Sequence, residues 1–129
     1  MIIDTSALVA ILDQEPEAER IVRTLGSAPV TVGRESGRDR RIVIQARRGD
    51  DGARDLDLLL AKLRVDIAAV TASQADIARK AFRRFGRGRH AANLNFGDCF
   101  AYALAKDKSA PLLFKGDDFG RTDVMVAPY

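Results

Sequence analysis

The chain has 129 residues, enough for one domain with a single substantial core and too few for two ordinary domains. Its one cysteine excludes an intramolecular disulfide, and no apolar run approaches the roughly 20 residues that a membrane span needs. The net charge of +3 is modest, but 21 lysines and arginines suit either a polyanionic partner or a solvated surface. We therefore expect one cytoplasmic domain, residues 1–129, with neither signal peptide nor membrane segment.

Apolar runs in the first part of the chain alternate between short strand-like segments and helical periodicity, which predicts the start of an α/β domain. The expected order is strand, helix, helix, strand, at residues 2–3, 7–12, 16–25 and 29–32. Pro16 suits the first turn of the second helix, and Gly26 suits its end. Residues 33–41 (GRESGRDRR) are almost wholly polar where the next core-facing helix should begin, and they are the least interpretable part of the sequence.

The rest of the chain continues the same alternation. Gly49 is expected to end a core-like run, Ser73 to cap a later helix and Gly86 to stop it. A buried helix then carries Asp98 in its first turn, and a compact strand follows it. In chain order these segments are residues 42–47, 54–63, 65–70, 75–85, 95–105 and 111–114, with a last apolar run at 124–126.

Three aspartates occupy equivalent places in this pattern. Asp4 follows the first strand, Asp98 lies at the start of the buried helix, and Asp117 follows the strand at 111–114. Because the carboxyl ends of parallel strands meet at one edge of a sheet, acids that are distant in sequence converge there. For Asp98 alone, capping of its helix would be a sufficient explanation.

Converging carboxylates repel one another, so such a cluster persists at neutral pH only with raised pKa values or a bound cation. The ligands here would be oxygens without an accompanying cluster of histidine or cysteine, which favours Mg²⁺, or Mn²⁺ in its place, over zinc. A carboxylate-held Mg²⁺ characteristically binds phosphates and activates a water. The sequence thus predicts that Asp4, Asp98 and Asp117 form an acidic cluster able to hold such a cation.

Three blocks of the sequence resemble the PIN-domain ribonuclease toxins of the VapC type. They are residues 2–12 (IIDTSALVAIL), 94–105 (LNFGDCFAYALA) and 112–119 (LLFKGDDF). The likeness covers most of the chain apart from residues 31–41. Three blocks in this order and at this spacing are a far more specific signal than any single aspartate.

The resemblance implies a three-layer α/β/α domain with a central parallel sheet. It also implies a Mg²⁺-dependent endoribonuclease that cleaves structured RNA, such as tRNA or rRNA, as the toxin of a type II toxin–antitoxin system. The implied partners are a VapB-type antitoxin and a second copy of the chain. Within the acidic quartet of the family, Asp4 and Asp98 would hold the metal and Asp117 would complete the pocket, while Thr5 or Ser6 would position a water or phosphate or simply start the helix.

The fourth acid is where the chain departs from this resemblance. The family usually has a glutamate in an apolar helix shortly before the run seen here at residues 42–47. Counting back places Asp39 at that position, with Glu35 one helical turn earlier, among arginines instead of small and apolar residues. Three interpretations stay open: a diverged but working site, an impaired enzyme, and a local sequence anomaly such as a compensated frameshift.

Two other classes of protein compete with the ribonuclease. A catalytically impaired PIN-like domain would act as an antitoxin- or RNA-binding module, and the unusual residues 33–41 favour it. A phosphoacceptor receiver domain also gathers acids at a sheet edge, but the sequence lacks an aspartate after a central strand with the expected late lysine beyond it.

Several other side chains have two interpretations each. Arg84, Arg87 and Arg89 would form an RNA-binding rim, although arginine also suits the end of a helix. Lys115 would either hold the scissile phosphate or balance the acids. His90 is expected in a solvent-facing loop, and Cys99 is expected to be inert packing in the core.

Overall fold

A computed structural model of the chain describes residues 1–34 and 41–129, which form a parallel sheet with helices on both faces. The strands are β1 (Ile2–Ile3), β2 (Thr31–Gly33), β3 (Asp66–Ala68) and β4 (Leu112–Leu113). The helices are α1 (Thr5–Leu12), α2 (Ala18–Leu25), α3 (Arg34–Lys62), α4 (Ala72–Phe85) and α5 (Phe96–Asp107), with a short 3₁₀ turn at Phe119–Arg121.

The sheet has the strand order β3-β2-β1-β4, and every neighbouring pair is parallel. Ile2 pairs with Thr31 on one side and with Leu112 on the other, so β1 is a central strand. The last apolar run adds a further parallel bridge, from Val126 to Leu112. Because the strands run the same way, the chain leaves β1, β2 and β4 at one common edge.

Alternation along the strands produces two cores, one on each face of the sheet. Ile2 and Leu112 face the first core, together with the buried sides of α4 and α5. Their neighbours Ile3 and Leu113 face the second core, which α1, α2 and α3 cover. All four side chains are almost completely buried. The predicted three-layer α/β/α architecture with a central parallel sheet is confirmed.

The observed caps of the helices agree only in part with the caps predicted from the sequence. Thr71 caps α4 and forms a reciprocal capping box with Gln74, so the prediction that Ser73 is the cap was wrong. Gly26 and Gly86 end α2 and α4 as predicted. Pro16 precedes the first helical residue of α2 by two positions instead of occupying the first turn.

Helix α3 is broken at Gly49, which has a positive φ of 64° that favours glycine. This break lies where the sequence predicted the end of a core-like run. Within that run Ile44 is buried, but Ile42 is 68% exposed. The prediction of a core segment was therefore only partly right, because the run divides between the second core and the surface.

Helix α4 has one buried side and one charged side, as a helix on an open sheet should. It buries Ala78, Ala81 and Phe85 and exposes Arg79 and Arg83. Across the part of the chain that the structure describes, no helix is long and apolar enough to cross a membrane.

Candidate active site

Asp4 lies directly after β1 and is the N-cap of α1, with the extended backbone that this position requires. Its Oδ2 accepts hydrogen bonds from the Ser6 backbone N–H at 2.9 Å and from the Ser6 hydroxyl at 2.7 Å. The residue is only 5% exposed, so these bonds satisfy a buried carboxylate oxygen. The helix cap is thus Asp4 itself, and not Thr5 or Ser6.

Ser6 connects Asp4, which follows β1, to the start of the loop that follows β4. Its hydroxyl donates to Asp4 and accepts a 3.0 Å hydrogen bond from the backbone N–H of Lys115, which follows β4. The Asp4 backbone N–H in turn donates to the Leu113 carbonyl at 2.9 Å. These bonds fix the position of the Asp4 carboxylate relative to the loop that carries Asp117.

Asp98 lies in the first turn of α5, where Asn95 is the N-cap. The Asn95 backbone N–H donates to Asp98 Oδ2 at 2.8 Å, and the Asp98 backbone N–H donates to Asn95 Oδ1 at 3.0 Å. This reciprocal capping box holds the Asp98 carboxylate at the helix mouth by one of its oxygens, Oδ2. The capping explanation for Asp98 is therefore correct, and it leaves Oδ1 outside the box.

The electrostatic surroundings of Asp98 show which charges share its site. Burial raises the pKa of its carboxyl to about 6, against the Asn95 hydrogen bond that lowers it. The charges of Asp4 and Asp118 contribute to the same rise in pKa, while Arg87 opposes it. Asp4 and Asp98 are thus close enough to interact, although they are far apart in sequence.

The loop after β4 contributes Asp118 to this field. Gly116, with a φ of +107°, turns the chain out of the strand, and both Asp117 and Asp118 are exposed. Asp118 is a neighbour whose charge raises the pKa of Asp98. Sequence reasoning chose Asp117 and missed Asp118, although the doubled acid itself was a signal. The role of Asp117 stays a prediction.

Lys115 pairs with two glutamates on the connection between α1 and α2. Its ammonium forms a hydrogen-bonded ion pair with Glu15 and lies 3.5 Å from the Glu17 carboxylate. The hydrogen bond to Glu15 is the main cause of the raised pKa of Lys115. The sequence alternatives placed this cation at Asp117 or the scissile phosphate, whereas its ammonium is engaged by Glu15 and Glu17.

The arginines of the predicted RNA-binding rim differ in what they contact. Arg87 acts electrostatically on Asp98 and is exposed. The Arg89 guanidinium lies 5.5 Å from the centre of the Phe82 ring. Arg84 pairs with Asp123 at 3.4 Å, which partly neutralises it. Of the three, Arg87 is therefore the one whose charge acts on the acids.

His90 and Cys99 agree with their simpler interpretations. His90 is exposed, and its Nδ1 accepts a 3.0 Å hydrogen bond from the Ala92 backbone N–H, which closes the loop before α5. Cys99 is a buried thiol whose pKa is raised by burial to about 11, so it is protonated and unreactive at neutral pH.

The donors at this edge suit a hard divalent cation, because they are carboxylate oxygens. Within residues 1–34 and 41–129, however, no group of three or more His, Cys, Asp or Glu side chains is arranged to hold a metal ion. Asp39 and Glu35, the candidates for the fourth acid, lie outside the described residues. The fit to Mg²⁺ therefore rests on Asp4 and Asp98, and Mg²⁺ commonly uses one or two protein carboxylates and several waters.

The parallel sheet with acids at its carboxyl edge is the architecture of a PIN domain, and the PIN domain family matches residues 1–125 of the chain. The chain belongs to this family. Its curated relatives place it among the VapC ribonucleases: it is 54% identical over 125 residues to Ribonuclease VapC of Mycolicibacterium smegmatis, covering 96% of this chain and 97% of the relative. It is 51% identical to Ribonuclease VapC30 of Mycobacterium tuberculosis, with 96% and 95% of the two chains covered.

Solved structures give the same fold at much lower identity. VapC20 of Mycobacterium tuberculosis, a sarcin–ricin loop cleaving toxin, superposes with a TM-score of 0.78 at 17% identity and covers 98% of this chain and 97% of its own. VapBC2 of Rickettsia felis, bound to a promoter DNA fragment, superposes with a TM-score of 0.73 at 13% identity, with 97% and 94% covered. The predicted resemblance to VapC toxins is confirmed.

Proposed function

We propose that this VapC-type protein is a Mg²⁺-dependent endoribonuclease and the toxin of a type II toxin–antitoxin system. The observation that carries the proposal is the meeting of Asp4 and Asp98 at the carboxyl edge of the sheet, where their charges interact. Repulsion between buried carboxylates is a cost that a bound divalent cation removes. The identity to named VapC ribonucleases supports the same reaction class.

The residues around the two acids act as positioning groups in this proposal. Ser6 holds Asp4 by two hydrogen bonds, and Asn95 holds Asp98 in the capping box. Each carboxylate thus has one oxygen fixed by the fold, which sets the direction of the group before any ligand arrives. When bound, Mg²⁺ would activate a water and neutralise charge on the leaving oxygen of the phosphodiester.

The proposed substrate is structured RNA of the tRNA or rRNA class. Contacts to the phosphate backbone supply much of the affinity for nucleic acid, and the exposed Arg87 and Arg89 would offer such contacts. Arg87 is the cation that already acts on Asp98, so it is the better placed to bind a phosphate next to the cleaved bond.

The proposed protein partners are a VapB-type antitoxin and a second copy of the chain. Toxin–antitoxin complexes are among the solved structures with this fold, including a complex from Klebsiella pneumoniae with a TM-score of 0.71 at 15% identity. Large apolar side chains such as Ile42 and Leu58 are exposed and would be covered by such partners. The proposed location is the cytoplasm, which suits an RNA substrate and the free thiol of Cys99.

The test is RNA cleavage by purified protein freed of antitoxin, in Mg²⁺ and in EDTA. We expect cleavage only with the metal, and a loss of at least about 100-fold in Asp98→Asn, which removes a proposed metal ligand while keeping an acceptor for the capping box. Asp66→Asn, an exposed aspartate on β3, is the matched control and should cleave like the wild type. Equal cleavage by Asp98→Asn would indicate a contaminating nuclease and contradict the proposal.

A second candidate is an impaired PIN domain that only binds antitoxin or RNA. It is favoured by the finding that residues 1–34 and 41–129 contain no three-membered acidic group arranged for a metal. Titration with Mn²⁺ separates the two functions. Absence of binding at millimolar metal, with RNA or antitoxin binding retained, would leave only the binding function.

A further inference from the structure

Phe96 is an unusually exposed aromatic residue at the mouth of the candidate active site. It is the first residue of α5, two positions before Asp98, and its side chain is 69% exposed. Exposure of a large ring is unfavourable in water, and helix formation does not require phenylalanine at this position. A ring exposed in the first turn of the helix that carries Asp98 therefore calls for a contact that the isolated chain does not make.

The ring of Phe96 lies at one side of an apolar cavity between α4 and α5. The cavity has a volume of about 420 Å³. Phe100, one turn further along α5, supports the Phe96 ring with a centre-to-centre distance of 4.9 Å. The lining residues used in this argument are Ala75, Ala78, Arg79, Phe82, Phe96 and Phe100.

The charge around this cavity is positive on the α4 side. Arg79 lines the cavity, and the Arg89 guanidinium lies over the Phe82 ring. Arg87 lies two residues before Arg89 on the loop after α4, and its charge acts on Asp98. Aromatic rings beside guanidinium groups are the combination that binds single-stranded nucleic acid: the rings stack on bases, and the cations bind phosphates.

We propose that Phe96 stacks on an unpaired base of the RNA next to the cleaved phosphodiester, with the α4–α5 cavity receiving that base. The inference rests on the proposed ribonuclease function and adds to it the element that positions the substrate. A base is the occupant that fits, because the cavity joins an apolar, ring-lined surface to a cationic rim and lies on the helix that carries Asp98. Phe96 is a substrate-positioning residue in this role, and it takes no part in proton transfer.

The first experiment uses the absence of tryptophan from the chain. Phe96→Trp introduces a single tryptophan, and its fluorescence is followed in EDTA while a short single-stranded oligoribonucleotide of mixed sequence is added. Stacking predicts quenching by this RNA and little quenching by an abasic ribose–phosphate oligomer of the same length. Met125→Trp, at another exposed apolar position, is the control and should show neither response.

The second experiment separates binding from chemistry. Phe96→Ala should raise KM for RNA about 10- to 100-fold with kcat nearly unchanged, since stacking on one base acts mainly on binding. Phe96→Tyr should restore KM, because tyrosine presents the same ring. Ile67→Ala, which removes an exposed apolar side chain from the edge strand β3, should leave both constants unchanged.

Several results would overturn the inference. Equal quenching by intact and abasic RNA, or an unchanged KM in Phe96→Ala, would show that the ring does not contact a base. Conversion of an oligomer to a monomer by Phe96→Ala, or loss of antitoxin binding, would show that protein covers the ring instead. If the wild type fails to cleave RNA, the proposed enzyme function fails; if it cleaves and Phe96→Ala cleaves equally well, only the stacking inference fails.

Discussion

Replacing Asp98 by asparagine should make the metal-free protein more stable at neutral pH, even though it should abolish cleavage. The Asp98 carboxyl is partly buried and lies in the field of Asp4 and Asp118, which raises its pKa to about 6. Asparagine removes the charge but keeps an oxygen that can accept the Asn95 N–H bond. The variant thus isolates the cost of the charge from the contribution of the capping box.

The sign and size of the effect follow from the pKa. A carboxyl whose pKa is raised in the folded state does not lower the free energy of unfolding below pH 3.8, its ordinary pKa, because it is then protonated in both the folded and the unfolded protein. The cost grows as the pH rises and is complete above about 6. The rise in pKa corresponds to about 3 kcal/mol at about 1.4 kcal/mol per unit. Because Asp98 is in partial contact with solvent, we expect about 1–3 kcal/mol.

The assay is urea unfolding in EDTA at a series of pH values from about 4 to about 8. The free energy of unfolding of Asp98→Asn should exceed that of the wild type at the upper end of the series, and the difference should fall as the pH drops through 6. Asp66→Asn, at an exposed aspartate of β3, is the matched control. A difference that is flat with pH, or a variant less stable than the wild type at pH 7.5, would refute the reasoning.

Addition of Mg²⁺ should reverse the order of the two proteins if Asp98 is a metal ligand. The wild type should gain stability with metal concentration, because a ligand that binds only the folded state stabilises it by mass action. Asp98→Asn should gain little. An equal gain in both proteins would place the metal elsewhere.

Three further predictions concern the support of the site. Asp118→Asn should lower the pKa of Asp98, observed by NMR titration of its carboxyl carbon, and an unchanged pKa would show that Asp118 does not share the site. Ser6→Ala should lower the free energy of unfolding by about 1–3 kcal/mol. The change removes the hydroxyl that joins the Lys115 N–H to the Asp4 carboxylate. An unchanged free energy of unfolding would mean that water replaces this hydroxyl. Leu113→Ala should lower the free energy of unfolding by about 2–5 kcal/mol in thermal or urea unfolding, since Leu113 is fully buried in the second core. A loss below about 1 kcal/mol would contradict that packing.

Local sequence determined the elements and the family of this protein. The pattern of apolar runs predicted β1, β2, β3 and β4 near their observed positions, because alternation and length are properties of each segment alone. The ends of α2 at Gly26 and of α4 at Gly86 could also be predicted, because the preference for glycine at a helix end depends on that residue alone. The place of Asp4 after a strand and of Asp98 in a helix mouth could also be predicted, since each depends only on its immediate neighbours.

Tertiary structure decided which charges meet and which surfaces remain open. Lys115 pairs with Glu15 and Glu17, and Asp118 acts on Asp98, because parallel strand order brings separate loops to one edge of the sheet. Nothing in the spacing of these residues along the chain specifies such pairs. The exposure of Phe96 was equally hidden, because its sequence neighbours are those of a buried helix. Only the packing of α5 against α4 left that ring exposed at the cavity between the two helices.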